Sequence, residues 1–246
     1  MFKSRRISLC LGLQCLLIAV QASASISLSA TRLVFDGEHK ETNIKVRNNG
    51  DDLLIQSWID SDDPKTGSAP FAVTPPLAKI AGKQQQLLRV IYEGAGMPAD
   101  KESVVWLNVQ EIPQASASAN TLQLAVRQRI KVFFRPTGLT SKAYLAPTQL
   151  LWRLGEKDGH AVLQVTNASL YHVSLAKLTL TSGSTTEQPF DSTMIAPGQH
   201  TTFALKTLNS SSSVKLDFLS INDYGAQDHY TANVSRNAET SATPAP

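Results

Sequence analysis

The sequence predicts an all-β protein of two sandwich domains, and three observations carry that reading. Helical periodicity is hard to find beyond the first two dozen residues, whereas short β-rich runs recur between clusters of turn residues. One run, TLQLAVRQRIKVFFR at 121–135, alternates apolar and polar side chains with strict period two. Pro136-Thr137-Gly138 then interrupts it, and a second series of β-rich runs follows.

The first 24 residues stand apart from the fold. Lys3, Arg5 and Arg6 form a basic start, residues 9–20 an apolar stretch, and Ala22-Ser23-Ala24 a small-residue cleavage site. This is the pattern of a secretory signal peptide, with cleavage expected after Ala24, and its apolar stretch is short for a membrane span. Removing 24 of the 246 residues leaves 222, enough for one large core or two smaller ones. No later stretch is long and apolar enough to span a bilayer, so no membrane insertion of the mature chain is expected.

Export changes the composition too. Three of the 23 basic side chains leave with the signal, so 20 remain against 20 acidic ones; the formal charge of +3 therefore says nothing about nucleic acid, and no nucleic-acid partner is expected. Cys10 and Cys15 leave as well, so disulfide and thiol chemistry are not expected in the mature chain. Asn167-Ala168-Ser169, Asn209-Ser210-Ser211 and Asn233-Val234-Ser235 match the glycosylation pattern, which is short enough to recur by chance.

The first domain is expected over 25–138. Its β-rich runs lie at 26–28, 33–35, 43–47, 53–59, 87–92, 104–112 and 122–134. Asp36-Gly37, Asn48-Asn49-Gly50 and the segments 62–67, 94–100 and 114–120 punctuate them. Seven short strands in so short a span is the pattern of an immunoglobulin-like sandwich. The second domain is expected over 139–235, with runs at 149–153, 161–166, 174–180, 201–205 and 214–221. Residues 236–246 lack apolar content and are expected to form a disordered tail.

The long run repays closer reading. Leu122, Leu124, Val126, Ile130, Val132 and Phe134 share one parity, broken only by Gln128. Gln123, Arg127, Arg129, Lys131 and Arg135 share the other, with Ala125 and Phe133. Fully extended, the run spans roughly 45–50 Å, more than a small sheet covers. An apolar strand left uncovered is an aggregation hazard unless a partner pairs with it.

Catalytic patterns are thin. His39, His160, His172, His200 and His229 are scattered without metal-ligand spacing, so no metal site is expected. The sequence has no glycine-rich phosphate loop, no G-x-S-x-G elbow and no cysteine nucleophile outside the signal. Trp58, Trp106 and Trp152 fall in strand-like segments, where core packing is the expectation. No enzyme activity and no cofactor are expected.

Several motifs in a consistent order resemble the periplasmic pilus (fimbrial) chaperone family. MPADKESVVWLNVQEIP at 97–113 looks like that family's signature segment. TRLVFDG at 31–37, TPPLAKI at 74–80, RIKVFFRP at 129–136 and SINDYG at 220–225 agree with it elsewhere. Gln114 departs from the signature, which usually has a second small residue or proline there. The short segment between Pro113 and Leu122 resembles the branch of the family with a short F1–G1 loop.

The resemblance implies two immunoglobulin-like sandwiches arranged in an L with a cleft between them. It implies a periplasmic, ATP-independent chaperone that lends its long strand to a pilus subunit whose own fold lacks one, and delivers that subunit to an outer-membrane usher. By resemblance, Leu122, Leu124 and Val126 are the plugs inserted into the subunit. Arg32 and Lys131 anchor the subunit's C-terminal carboxylate, a role that suits charge-assisted hydrogen bonding. Glu102, Arg135 and Asp223 make a charge network across the domain interface. Self-association into a dimer is a further way to cover the apolar strand. The alternative is a secreted fimbrial subunit or adhesin, which would normally carry a disulfide and an incomplete sandwich.

Overall fold

The computed structural model describes residues 25–62, 69–112, 124–209 and 213–245. The expected signal peptide and Leu122 lie outside them. Among the described residues no helix is long and apolar enough to cross a membrane. The fold is nearly all β, in two sandwiches.

The first sandwich holds β1 (Ile26–Leu28), β2 (Arg32–Asp36), β3 (Glu41–Asn48), β4 (Leu53–Asp60), β5 (Phe71–Thr74), β6 (Leu77–Ile80), β7 (Gln85–Tyr92), β8 (Ser103–Ile112) and β9 (Arg127–Arg135). One sheet runs β1-β3-β7-β5 and the other β2-β9-β8-β4-β6. Alternation along the strands supplies the core between them. In β9, Ile130, Val132 and Phe134 point inward, with Leu107 and Val109 of β8 and Phe35 of β2. Phe35, Phe71, Tyr92 and Phe134 form an aromatic cluster with ring centroids 4.6–6.2 Å apart.

The second sandwich begins with a 3₁₀ turn at Ala143–Gln149, which period-two reasoning did not foresee. It continues through β10 (Leu150–Lys157), β11 (His160–Asn167), β12 (Val173–Ser182), β13 (Thr185–Glu187), β14 (Ser192–Ile195), β15 (His200–Ala204), β16 (Val214–Ile221), β17 (Gln227–Val234), β18 (Thr240–Ser241) and β19 (Thr243–Pro244). Trp152 is fully buried in its core against Phe218, at 5.5 Å.

Three sequence expectations need correction, and the discounting of the Asn167 glycosylation match is supported. The tail is not disordered: β18 pairs with β10, β19 pairs with β17, and Ala242 between them is buried. Ladder hydrogen bonds need no apolar side chains, so composition missed a segment that crosses from one sheet edge to the other. Among the described residues the long strand is regular from Arg127, where the last ladder pair is Gln110–Arg127, while Leu124–Val126 are not strand. Trp58 and Trp106 lie outside the core, half-exposed. Asn167 is 0 % exposed and bonds Tyr171, Ile195 and Ser169, so it offers no glycosylation acceptor.

Candidate functional site between the two sandwiches

Two motifs bring the site together through the parallel pairing of β2 with β9. That ladder sets Arg32 opposite Lys131, and Asp36 opposite Arg135. Beyond Asp36 the chain turns at Gly37, whose N–H donates to the Arg135 carbonyl at 2.7 Å. A Cβ at Gly37 would lie 2.7 Å from that oxygen, so only glycine permits the approach. The turn fixes the backbone from which Arg135 projects.

Arg135 reaches both domains. Its Nε donates to Glu102 at 2.8 Å, while Nη1 and Nη2 grip the two oxygens of Asp223 at 2.8 and 2.7 Å. Glu102 precedes β8 and is only 2 % exposed; Asp223 follows β16 in the second sandwich. Gly225, with φ of +82°, closes the turn that presents Asp223. Burial opposes the charge on Arg135, but hydrogen bonds and charge attraction from Asp223 and Glu102 outweigh it and push its pKa up. The structure thus places all three sequence-predicted residues in one ion network.

His172 belongs to the same network, and sequence reading passed over it. Glu102 Oε1 accepts from the His172 backbone N–H at 2.8 Å and lies 3.0 Å from its Nδ1. The Glu102 N–H donates in turn to the Leu170 carbonyl at 2.9 Å. The carboxylate therefore bridges the domains by its main chain and its side chain. A lone histidine 70 positions away in sequence gave no local signal of this.

Arg32 and Lys131 sit beside the network. Arg32 Nη1 donates to the Ile221 carbonyl of the second sandwich at 2.9 Å, and its guanidinium lies 5.4 Å from the Phe133 ring. Its Nε is buried without a hydrogen-bond partner among the described residues. Lys131 has no carboxylate partner among the described residues; its Nζ lies 5.7 Å from the Trp106 ring. Burial lowers the Lys131 pKa, and the neighbouring Arg32 charge lowers it further. Burial also lowers that of Arg32, partly offset by Asp223 and Glu102. Two cations held side by side in partial burial with no carboxylate between them make a site for an anion. Arg32, Phe133, Tyr171 and Tyr224 are among the residues that line an adjoining cleft of about 420 Å³ between the sandwiches.

Of the three residues expected as plugs, two are described. Leu124 is 75 % exposed, and Val126 is half-buried, its carbonyl accepting from the Glu111 N–H at 3.0 Å. β2 accompanies β9 only from Lys131 onward. Residues 127–130 pair with β8 on one side, and among the described residues no strand lies on the other.

Two sandwiches are thus joined through a buried carboxylate, with paired cations at the end of a strand edge that is open among the described residues. The chain belongs to the pilus-assembly chaperone family: residues 25–140 match the pili and flagellar-assembly chaperone PapD N-terminal domain, and residues 145–232 match the pili assembly chaperone PapD C-terminal domain. It is similar to the probable fimbrial chaperone YadV of Escherichia coli K12, 36 % identical over 223 residues and covering 86 % of this chain and 90 % of YadV. Against the chaperone FimC of the same organism it is 33 % identical, covering 91 % of this chain and 92 % of FimC. The crystal structure of YadV superposes with a TM-score of 0.74 over 86 % of this chain and 100 % of that one. That of the CupB2 chaperone of Pseudomonas aeruginosa, 28 % identical, gives 0.71 over 85 % and 100 %.

Proposed function

We propose that this chaperone captures fimbrial subunits by adding a subunit strand to the open edge of β9, with Leu122, Leu124 and Val126 entering the subunit and Arg32 and Lys131 holding its C-terminal carboxylate. The observation that carries the reading is the open edge beside residues 127–130 and the exposed Leu124 that continues it. Main-chain ladder bonds give sequence-tolerant affinity, and alternate side chains give register.

The same geometry supports the choice of terminus. A strand added to this edge is collinear with β2 and must stop where β2 begins, at Arg32 and Lys131. A chain ending there with its amine would meet two like charges; one ending with its carboxylate meets two donors. A C-terminus at that point requires the added strand to run parallel to β9. Leu124 and Val126 then share the parity of Ile130 and Val132, the face that fills this chaperone's own core.

The finer parts of the reading follow the family. The chain acts in the periplasm after cleavage behind Ala24, hands the captured subunit to an outer-membrane usher, belongs to the short F1–G1 loop branch, and pairs with a second copy when empty. Glu102, Arg135 and Asp223 hold the two domains in working orientation, and the protein catalyses no reaction.

Periplasmic co-expression with a fimbrial subunit from the same genome tests this. Wild type should co-purify with the subunit, while Lys131→Ala, Arg32→Ala and Leu124→Asp should each lose most of the complex. Full recovery of complex by the first two variants sinks the anchor, and by the third sinks strand donation. Sedimentation of the empty chaperone, with wild type compared to Leu124→Asp, tests the self-capped dimer.

A further inference from the structure

Three cross-strand pairings line up one row across the outer face of the first sandwich: Asp60 of β4, Trp106 of β8, Lys131 of β9 and Arg32 of β2. Two strand spacings, roughly 9.5 Å, separate the Asp60 and Lys131 backbones. A lysine side chain covers most of that distance, and the Lys131 Nζ already leans over the intervening indole. Left to themselves, Asp60 and the neighbouring Asp62 are natural partners for this ammonium. They are instead occupied: Asp60 accepts from Asn108 Nδ2 at 2.9 Å, and both carboxylates are held by Arg129. Its Nη2 donates to Asp60 at 2.9 Å and to Asp62 at 2.6 Å, and its guanidinium lies 4.2 Å from the centre of the Trp106 ring. Arg129, with a smaller contribution from Trp106, holds the Asp62 carboxyl below its usual range against partial burial. The half-exposed tryptophan is thus the platform on which both cations rest.

We propose that Arg129 is a positioning residue for Lys131: by holding Asp60 and Asp62, it keeps the Lys131 ammonium clear of carboxylates within the chain and open to one from a partner. The inference rests on the anchoring role given to Lys131 above, but its geometry can be tested without any subunit. Arg129 lies on the outward parity of β9 next to the anchor, so one strand carries both the cation that binds and the cation that shields it.

NMR titration of the lysine side-chain carbons, with Lys131→Met for assignment, reads the outcome directly. In Arg129→Gln the freed carboxylates should pair with Lys131 and raise its measured pKa by about one pH unit, because a close ion pair favours the charged form. Adding Asp60→Asn and Asp62→Asn should return it to the wild-type value, whereas adding Glu156→Gln, in the second sandwich, should not. Loss of the Arg129 charge alone, largely solvent-screened, would move it by only a few tenths. Arg129→Met, which keeps an aliphatic cover over Trp106, serves if the glutamine variant does not fold. A Lys131 pKa unmoved by Arg129→Gln, or a rise that survives the two asparagine substitutions, overturns the proposal. In the co-expression assay, Arg129→Gln should lower capture and the triple variant restore it. If Lys131→Met itself captures normally, the anchor reading fails even where the titration behaves as expected.

Discussion

Removing Arg135 tests the interdomain network more severely than removing either acid, for a reason visible in the burial. In Arg135→Met, Glu102 stays 2 % exposed with His172 as its remaining side-chain partner, and Asp223 loses its bidentate grip. A buried charge stripped of its partner costs about 3–5 kcal/mol. In Glu102→Gln, Arg135 keeps both bonds to Asp223, and its side chain is 20 % exposed to water. That substitution should cost about 1–2 kcal/mol, the range of a lost charged hydrogen bond partly replaced by an amide. The double variant buries no unpaired charge, so it should be more stable than the sum of the single losses by about 2–3 kcal/mol. Urea unfolding followed by tryptophan fluorescence gives all three values, provided slopes as well as midpoints are compared. An Arg135→Met loss below about 1 kcal/mol, or strict additivity in the double variant, would refute the claim that the network is a coupled, buried support.

Other consequences follow from the same structure. Binding to a carboxylate raises the Lys131 pKa above its lowered free value, so capture should be constant at neutral pH. It should weaken as pH rises through that lowered value, before an ordinary lysine near about 10.4 would titrate; pull-down across alkaline pH reads this, and Lys131→Met should remove the dependence. Ending the chain after Arg236 deletes β18, β19 and the buried Ala242, and should cost about 1–3 kcal/mol, measured by thermal unfolding. Trp152→Ala should cost about 3–5 kcal/mol by opening a cavity against Phe218, seen in the same assay.

Much of this architecture was legible in the sequence because period two is read directly from side chains. β3, β4, β7 and β16 each bury one parity, β8 does so apart from the buried Asn108, and each announced itself. The elements that escaped are short or carry only a few buried side chains among polar ones: β5 buries Phe71 and Val73, β14 buries Ile195, and β17 buries Tyr230 and Val234. β17 begins Gln227-Asp228-His229, all exposed, and pairs with β16 residue by residue. The chain end is held the same way.

The site divided similarly. Glu102, Arg135 and Asp223 were found through motifs that travel with the family, and Arg32 and Lys131 likewise. His172 and the Arg129–Asp60–Asp62 cluster were not, because they arise where distant strands meet. Only the register placing Asp60 opposite Trp106, and Trp106 opposite Lys131, reveals that row.

The long alternating run kept its importance but changed its form. Among the described residues the ladder begins at Arg127, and of Leu124 to Val126 the Val126 carbonyl accepts from the Glu111 N–H. Ile130, Val132 and Phe134 fit this chaperone's own core, and β2 accompanies the run from Lys131 onward. Among the described residues, 127–130 have an open edge and Leu124 and Val126 continue the apolar parity, which is the chemistry a lent strand needs.

Amide hydrogen exchange on the chaperone, alone and bound to a fimbrial subunit, tests the central claim most directly. Strand addition to β9 should slow exchange over 124–130 and leave edge strands such as β5, β6 and β15 unchanged; in Arg32→Ala the protection over 124–130 should fall. A bound subunit that protects one of those other edges, and leaves 124–130 exchanging as in the free protein, would contradict it.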